Sequence, residues 1–458
     1  MTNETNRRDF LKIAALAGVG TVLKTNSYAS AAQSKTKTAG SMIEYAAAPI
    51  DVVRIGFVGV GGMGTGHLRN FLRIESVEIR AVCDIKPERM ANAQKLCVEA
   101  GKPKPDGYTG PEDYLRLCQR DDIDLVFNVT PWQLHTPVCL AAMNAGKHAA
   151  TEVPAAITID QCMQLVETSE KTRLHCVMME NCCYGREEML ILNMVKKNMF
   201  GEIIHGTGSY MHDLRAIKLN RDATGKIPAH GEAEWRLEHA IKRSGDVYPT
   251  HSIGPVAHCM DINRGDCFDH LVTMSSISRG LNAYAAKRFG PDNPLASQKY
   301  ALGDVVTTLI RTAKGRTIAI THDTHLPRPY SRGVLVQGTA GIARQWPDEI
   351  YIEGRSTYDQ WDPMSKYYDE FDHPLIKKLR ELAKGAGHGG MDFIEDYRLI
   401  NALRHGLVPD MDVYDAASWS VISALSAKSV ENGSEPVKFP DFTKGKWRTP
   451  RTLHMMDV

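Results

Sequence analysis

The sequence predicts an α/β fold, with a parallel sheet in its N-terminal half and a second sheet-bearing domain behind it. Three observations carry this. VRIGFV, residues 53–58, is an apolar run of strand length that ends in Gly59-x-Gly61-x-x-Gly64 and a helical pattern through His67–Leu72. Apolar strands and helical stretches then alternate as far as Asn181. Further on, VVTTLIRTAKGRTIAITHD, residues 305–323, reads as a hairpin turning at Lys314-Gly315.

The chain has 458 residues, enough for two domains and a large core. Lys and Arg number 55 and Asp and Glu 54, a net charge of +1. Nucleic-acid and anionic-membrane binding call for a basic excess that is missing here.

The first residues read as an address rather than as part of the fold. NRRDFLK, residues 6–12, has paired arginines followed by Phe10, Leu11 and Lys12. It resembles a twin-arginine export signal. The apolar run 13–23 is shorter than the roughly 20 residues a membrane helix needs. YASAAQS supplies small residues at Ala29 and Ala31 for a peptidase. The expected organisation is a signal at 1–31, a linker at 32–50, a first domain at 51–180, a second at 181–442 and a tail at 443–458. Export to the periplasm through the twin-arginine machinery follows, and that route carries folded proteins. The ten cysteines include no C-x-x-C pair and lie in apolar surroundings. Buried free thiols are expected, with no disulfide framework and no zinc site.

The glycine turn has the context that makes it informative: a strand before, a helix after, and VEIRAVCD as the next strand. Gly59 permits the tight turn, Gly61 lets the backbone approach a pyrophosphate, and Gly64 lets helix pack on strand. Asp84 ends the next strand 20 residues beyond Gly64. Its carboxylate suits a ribose 2′-hydroxyl and repels a 2′-phosphate, so NAD is expected rather than NADP. This is the pattern of a Rossmann domain.

Lys86–Ala100 reads as a helix, and YTGPEDYLRL starts another with Pro111 in its first turn. DLVFNVT, residues 124–130, is a buried parallel strand, and HAATEV and HCVMMEN follow. Ligands bind beyond the carboxyl ends of such strands. Trp132, Gln133, Leu134 and His135, then Glu152 and Val153, then Asn181 therefore fall at one crevice. For Trp132 and His135, packing competes with ligand contact. GTGSYMHD reads as a strand ending near Tyr210. Tyr248 and His251 are three apart and share a face if helical, with Pro249 favouring a helix start or a turn. Both are suited to proton transfer. Arg236 binds an anionic group or pairs with an acid such as Glu238.

Residues 52–442 resemble the Gfo/Idh/MocA oxidoreductases, which implies a Rossmann domain followed by an α/β domain on a large, mostly antiparallel open sheet. Two features of that group are replaced. Its Glu-Lys-Pro reads Glu152-Val153-Pro154, and its D-x-G-x-H helix reads GDVYPTHSIGPVAHCMD. These departures, with GGMG, TPWQLHTP, TEVP, MMENCCYGR, WRLEH, YPTHSIGP and HLPRPYSRG, resemble glycoside hydrolase family 109. The resemblance implies an NAD-dependent α-N-acetylgalactosaminidase. It assigns cofactor contacts to Gly59, Gly61, Gly62, Met63, Gly64, Asp84, Trp132, Gln133, Leu134, His135, Glu152, Val153, Asn181, Arg236 and His251. It places Tyr210, Arg236, Tyr248 and Tyr330 around the sugar, with Tyr248, His251 and Tyr330 catalytic.

The implied reaction oxidises carbon 3 of the sugar, removes the carbon 2 proton, eliminates the aglycone, adds water and reduces carbon 3 again. NAD is then tightly bound and regenerated in each turnover, and no flanking carboxylate pair is needed. On this reading acid–base work has moved to the second domain, away from Val153. The other reading is an exported sugar oxidoreductase with tightly bound NAD(P), and a third is a non-catalytic binder. The partners expected are a glycan ending in N-acetylgalactosamine and the export machinery, with no nucleic acid and no metal. A broad open sheet leaves a face for pairing into a homo-oligomer.

Overall fold

The computed structural model describes residues 40–221 and 232–457. The expected signal at 1–31 and the first part of the expected linker lie outside the described residues. The N-terminal sheet has six parallel strands: β1 (Val53–Val58), β2 (Val77–Cys83), β3 (Asp106–Tyr108), β4 (Leu125–Asn128), β5 (His148–Thr151) and β6 (Cys176–Met178). Their order is β3-β2-β1-β4-β5-β6. The chain direction across the sheet reverses between β1 and β4, and a crevice opens there beyond the strand ends. β1, β4, β5 and β6 are buried along nearly their whole length, as strands covered by helices on both faces must be.

Two details differ from the sequence reading. Pro111 precedes the helix Asp113–Cys118 instead of sitting in its first turn. Asp113 accepts from the amides of Thr109 and Gly110 and closes a tight turn there, so the helix starts later. Tyr248 lies just before the helix Thr250–Cys259, whose cap residue is Pro249, so Tyr248 and His251 do not share a helical face.

The second sheet has nine strands: β7 (Ile203–Met211), β8 (Phe268–Ser275), β9 (Val305–Thr312), β10 (Thr317–Asp323), β11 (Leu335–Gly338), β12 (Gly341–Arg344), β13 (Glu349–Ile352), β14 (Asp362–Pro363) and β15 (Val437–Lys438). β7 and β10 pair in parallel and the other pairs are antiparallel. β9 and β10 form the expected hairpin, with Gly315 at φ 86° in its turn. β9 alternates buried and exposed residues, so the sheet has one covered and one open face.

The helix Thr250–Cys259 covers β7. A Cβ on Gly208 would lie 1.8 Å from the Ser252 carbonyl, so only glycine admits the helix at this depth. The chain then returns to the first domain. Asp396, on the helix Met391–His405, reaches His67 and Asn70 of the helix Gly62–Phe71. Residues 443–457 are docked rather than trailing, with Met455 fully buried and Arg398 bonded to the carbonyls of His454 and Asp457. All ten cysteines are free, nine of them buried.

Candidate active site

The glycine turn has the shape a dinucleotide needs. Gly59 holds φ 87°, and a Cβ there would meet the Val129 carbonyl at 2.4 Å. A Cβ on Gly64 would lie 2.2 Å from the Gly59 carbonyl, so turn and helix close on each other. The outer side is open: a Cβ on Gly62 meets nothing within 4 Å, and one on Gly61 meets only the Arg89 guanidinium. Met63 follows in the first helical turn, half-buried. Asp84 accepts from the amides of Val60 and Lys86 at 3.0 and 2.9 Å, which fixes it against the turn. A carboxylate has about four acceptor positions, so lone pairs remain for ribose hydroxyls. These residues fit NAD.

The loop after β4 contributes unequally. Trp132 is buried and stacks on Tyr248 of the second domain at 5.3 Å, joining the two halves of the crevice. Gln133 is exposed and Leu134 half-buried. Both nitrogens of His135 lie 2.7 Å from backbone carbonyls, those of Pro154 and Thr130. The ring therefore has no free polar atom for a ligand, and His135 fixes the loop instead. Val153 is buried and followed by a cis bond to Pro154. Glu152 accepts from His67 Nε2 at 2.8 Å. Asn181 donates to Asp392 at 2.7 Å, and Asp392 is also paired with His388.

On the second-domain side the aromatic residues form one cluster. Tyr248 meets Tyr210 and His251 at 4.8 Å each, and Tyr210 meets His251 at 5.3 Å and Tyr330 at 6.4 Å. Arg236 stands over the rings of Trp132, Trp235 and Tyr248 and is paired with Glu232. Glu238, suggested by the sequence as its partner, bonds Lys242 one turn on. Burial pushes the phenols of Tyr210 and Tyr248 up, Tyr210 to about 12, so both keep their protons at neutral pH. Arg332 donates to the Tyr330 hydroxyl at 3.2 Å, which leaves that O–H to donate elsewhere.

The sequence reading missed the group that organises His251. Glu180, fully buried just after β6, lies 2.6 Å from His251 Nδ1 and also accepts from the Cys182 amide. Burial alone would raise its pKa, but His251, helped by the Thr250 hydroxyl and the Cys182 amide, outweighs that and holds the carboxyl below its ordinary value. A carboxylate only accepts, so Nδ1 carries the proton and Nε2 is the basic nitrogen whenever the ring is neutral. Glu180 was visible in MMEN at a strand end, but its partner is 71 residues away. Lys218 and His322 were also missed. His322 is the register partner of Tyr210. Lys218 is buried, bonded to Thr324 and His325, and burial holds its amine well below the usual lysine range.

A parallel dinucleotide-binding domain, a mixed open sheet, and an acid–base cluster at their shared crevice define the class: a two-domain, NAD-binding enzyme of the oxidoreductase fold. Residues 53–180 match the oxidoreductase family's NAD-binding Rossmann fold, and residues 184–449 match the C-terminal domain of glycosyl hydrolase 109. A glycosyl hydrolase family 109 protein of Solibacter usitatus (strain Ellin6076) is 47% identical over 451 residues, covering 98% of this chain and 99% of the relative. One from Shewanella baltica (strain OS155 / ATCC BAA-1091) is 45% identical, covering 98% of each chain. The chain belongs to glycosyl hydrolase family 109. In fold it is similar to a levoglucosan dehydrogenase in complex with NADH, at TM-score 0.63 and 19% identity, covering 85% of this chain and 99% of that one. It is similar also to the scyllo-inositol dehydrogenase of Lactobacillus casei, at TM-score 0.60 and 14% identity, covering 85% and 99%. The family matches support a glycosidase or an oxidoreductase.

Proposed function

We propose that the protein is a glycosidase that releases terminal α-linked N-acetylgalactosamine by an oxidation–elimination–water addition–reduction cycle. The observation that carries this reading is the Glu180–His251 pair at 2.6 Å, with Tyr248 and Tyr210 packed against its ring. It is an acid–base set on the second domain, at a crevice where the expected lysine is a buried valine.

NAD, held along the glycine turn and Asp84, supplies hydride acceptance from carbon 3 and hydride return. The chain's own residues handle the protons. A ketone at carbon 3 acidifies the carbon 2 proton, and His251 Nε2 is the base suited to take it. The proton on Nδ1 stays with Glu180, so the ring keeps one orientation and tautomer. Tyr248 completes the acid–base set, and the Tyr330 hydroxyl, fed by Arg332, donates to a sugar oxygen. Tyr210 and Arg236 line the sugar's place. The cofactor is tightly retained, because an enzyme exported by the twin-arginine route meets little free NAD in the periplasm.

The open sheet face presents Val272, Leu309, Ala319, Thr207 and Leu335 as one cross-strand row, with Met274 beside it. This row suits self-association.

The test is release of p-nitrophenol from an α-N-acetylgalactosaminide by purified protein without added NAD. Release that persists and tracks the retained dinucleotide supports the glycosidase. The second reading, a sugar oxidoreductase, draws on the likeness to sugar and inositol dehydrogenase folds. It is supported instead by a changed oxidation state in an added sugar with no aglycone released.

A further inference from the structure

The proton between Glu180 and His251 lies within reach of a third donor. One ligand atom each from Glu180, Cys182 and His251 lie within 4.8 Å of one another. Cysteine spacing predicted no zinc site, since no C-x-x-C is present, but these donors come from two segments that meet only in the fold. Glu180 Oε1 accepts from His251 Nδ1 and from the Cys182 amide. Its Oε2 is buried and makes no well-formed hydrogen bond among the described residues, with the Thr250 hydroxyl near this carboxyl. The Cys182 thiol donates weakly to Asn181 Oδ1 at 3.4 Å.

We propose that Glu180, Cys182 and His251 form a binding site for a thiophilic divalent cation, Zn²⁺ or Cd²⁺, whose occupation switches off His251. The donor set is one sulfur, one nitrogen and one oxygen, which suits zinc and cadmium and not magnesium or calcium. Zinc bonds of about 2.0–2.3 Å put tetrahedral ligand atoms roughly 3.3–3.6 Å apart, so the side chains need shift by only about an ångström. The charge closes. A divalent cation with one thiolate and one carboxylate is neutral, the state a buried site tolerates. Binding releases the thiol proton to solvent and moves the ring proton from Nδ1 to Nε2, which removes the basic lone pair. Because binding releases the thiol proton, affinity rises with pH. A second group of donors, His67, Glu152 and Glu395, is a poorer candidate, because both His67 nitrogens are already bonded to carboxylates.

The inhibitory half rests on the glycosidase reading, and the binding half stands without it. CdCl₂ is titrated into the NAD-loaded protein while the ultraviolet thiolate-to-cadmium charge-transfer band is followed. One equivalent should produce the band in wild type and in Cys183→Ser, and Cys182→Ser should lose it. The ¹¹³Cd NMR shift of the wild-type complex should report a single sulfur with nitrogen and oxygen, a readout that needs no folded variant. ZnCl₂ should suppress p-nitrophenol release, a chelator should restore it, and Cys182→Ser should need at least tenfold more zinc. No band at saturating cadmium, or a band and inhibition unchanged in Cys182→Ser, overturns the proposal. Full turnover with one cadmium bound overturns the switch. A Cys182-dependent band in a protein that releases no p-nitrophenol upholds the site while the glycosidase reading fails.

Discussion

His67 and His251 are both gripped by carboxylates, and the difference between them separates scaffold from chemistry. His67 is wholly buried, with Nδ1 on Asp396 at 2.9 Å and Nε2 on Glu152 at 2.8 Å. Burial pulls its pKa down, but the two carboxylates more than reverse this and hold the ring protonated. With both nitrogens committed, it is an ionic rivet between the glycine-turn helix and the helix Met391–His405. His251 is 12% exposed at its side chain and is held by one carboxylate. Its second nitrogen is left for a substrate. A histidine bonded at one end is positioned, and one bonded at both ends is spent.

The largest expected effect falls on the half-committed ring. His251→Ala should lower turnover about 10²–10⁴-fold, the usual worth of general acid–base catalysis. NAD should remain in the denatured extract. Tyr248→Phe should act in the same direction. Wild-type turnover from His251→Ala would remove the distinction between the two histidines.

Next comes the rivet. His67→Ala strands the buried Asp396, and breaking a buried pair costs about 3–5 kcal/mol. This should appear as a lower denaturant midpoint, with a smaller loss of turnover per folded molecule than in His251→Ala. The pH dependence has a definite sign. His67 is raised above its unfolded value, and burial pushes Asp396 up to about 6. Both groups bind protons more tightly when folded. Their stabilisation is therefore complete at low pH and is lost as pH rises through the folded values. Wild type should lose stability as pH rises above about 6.5, the ordinary histidine value; stability that does not fall over that rise would mean the ring is neutral.

Glu180→Gln should lower turnover roughly 10–100-fold, below the full loss of the base. The glutamine amide no longer fixes the Nδ1–H tautomer, so the pH–rate profile should shift while NAD is retained. A change in stability alone, with an unmoved profile, would make Glu180 a packing residue. The smallest effect belongs to Val153→Lys. The position is buried, and the acid–base set lies elsewhere, so turnover should not rise. A clear gain in p-nitrophenol release would place the chemistry back on the first domain.

Much of this was legible in the sequence, because it is local. The glycine turn, Asp84, the apolar parallel strands and the hairpin at Gly315 each follow from residues within a short window. The Rossmann half was read correctly on that basis, and the second, mostly antiparallel sheet through resemblance. The structure brings together Tyr210, Tyr248, His251 and Tyr330, which the resemblance named. The missed pieces are pairings across the fold. Glu180 meets His251 over 71 residues, and His67 meets Asp396 over 329. No periodicity encodes such a partner. His135 is of the same kind: its type and place left packing and ligand contact both open, while its bonds to Thr130 and Pro154 appear only in three dimensions.

The central claim is that His251 removes a carbon-bound proton from the sugar. Hydrolysis of an α-N-acetylgalactosaminide in heavy water, followed by proton NMR, tests it directly. A base that takes the carbon 2 proton exchanges it with solvent before water adds back. Deuterium should therefore appear on carbon 2 of the released sugar with wild type, and exchange should collapse along with turnover in His251→Ala. A carbon 2 proton fully retained through wild-type hydrolysis, with no slowing of substrate deuterated at carbon 2 or carbon 3, would contradict the account.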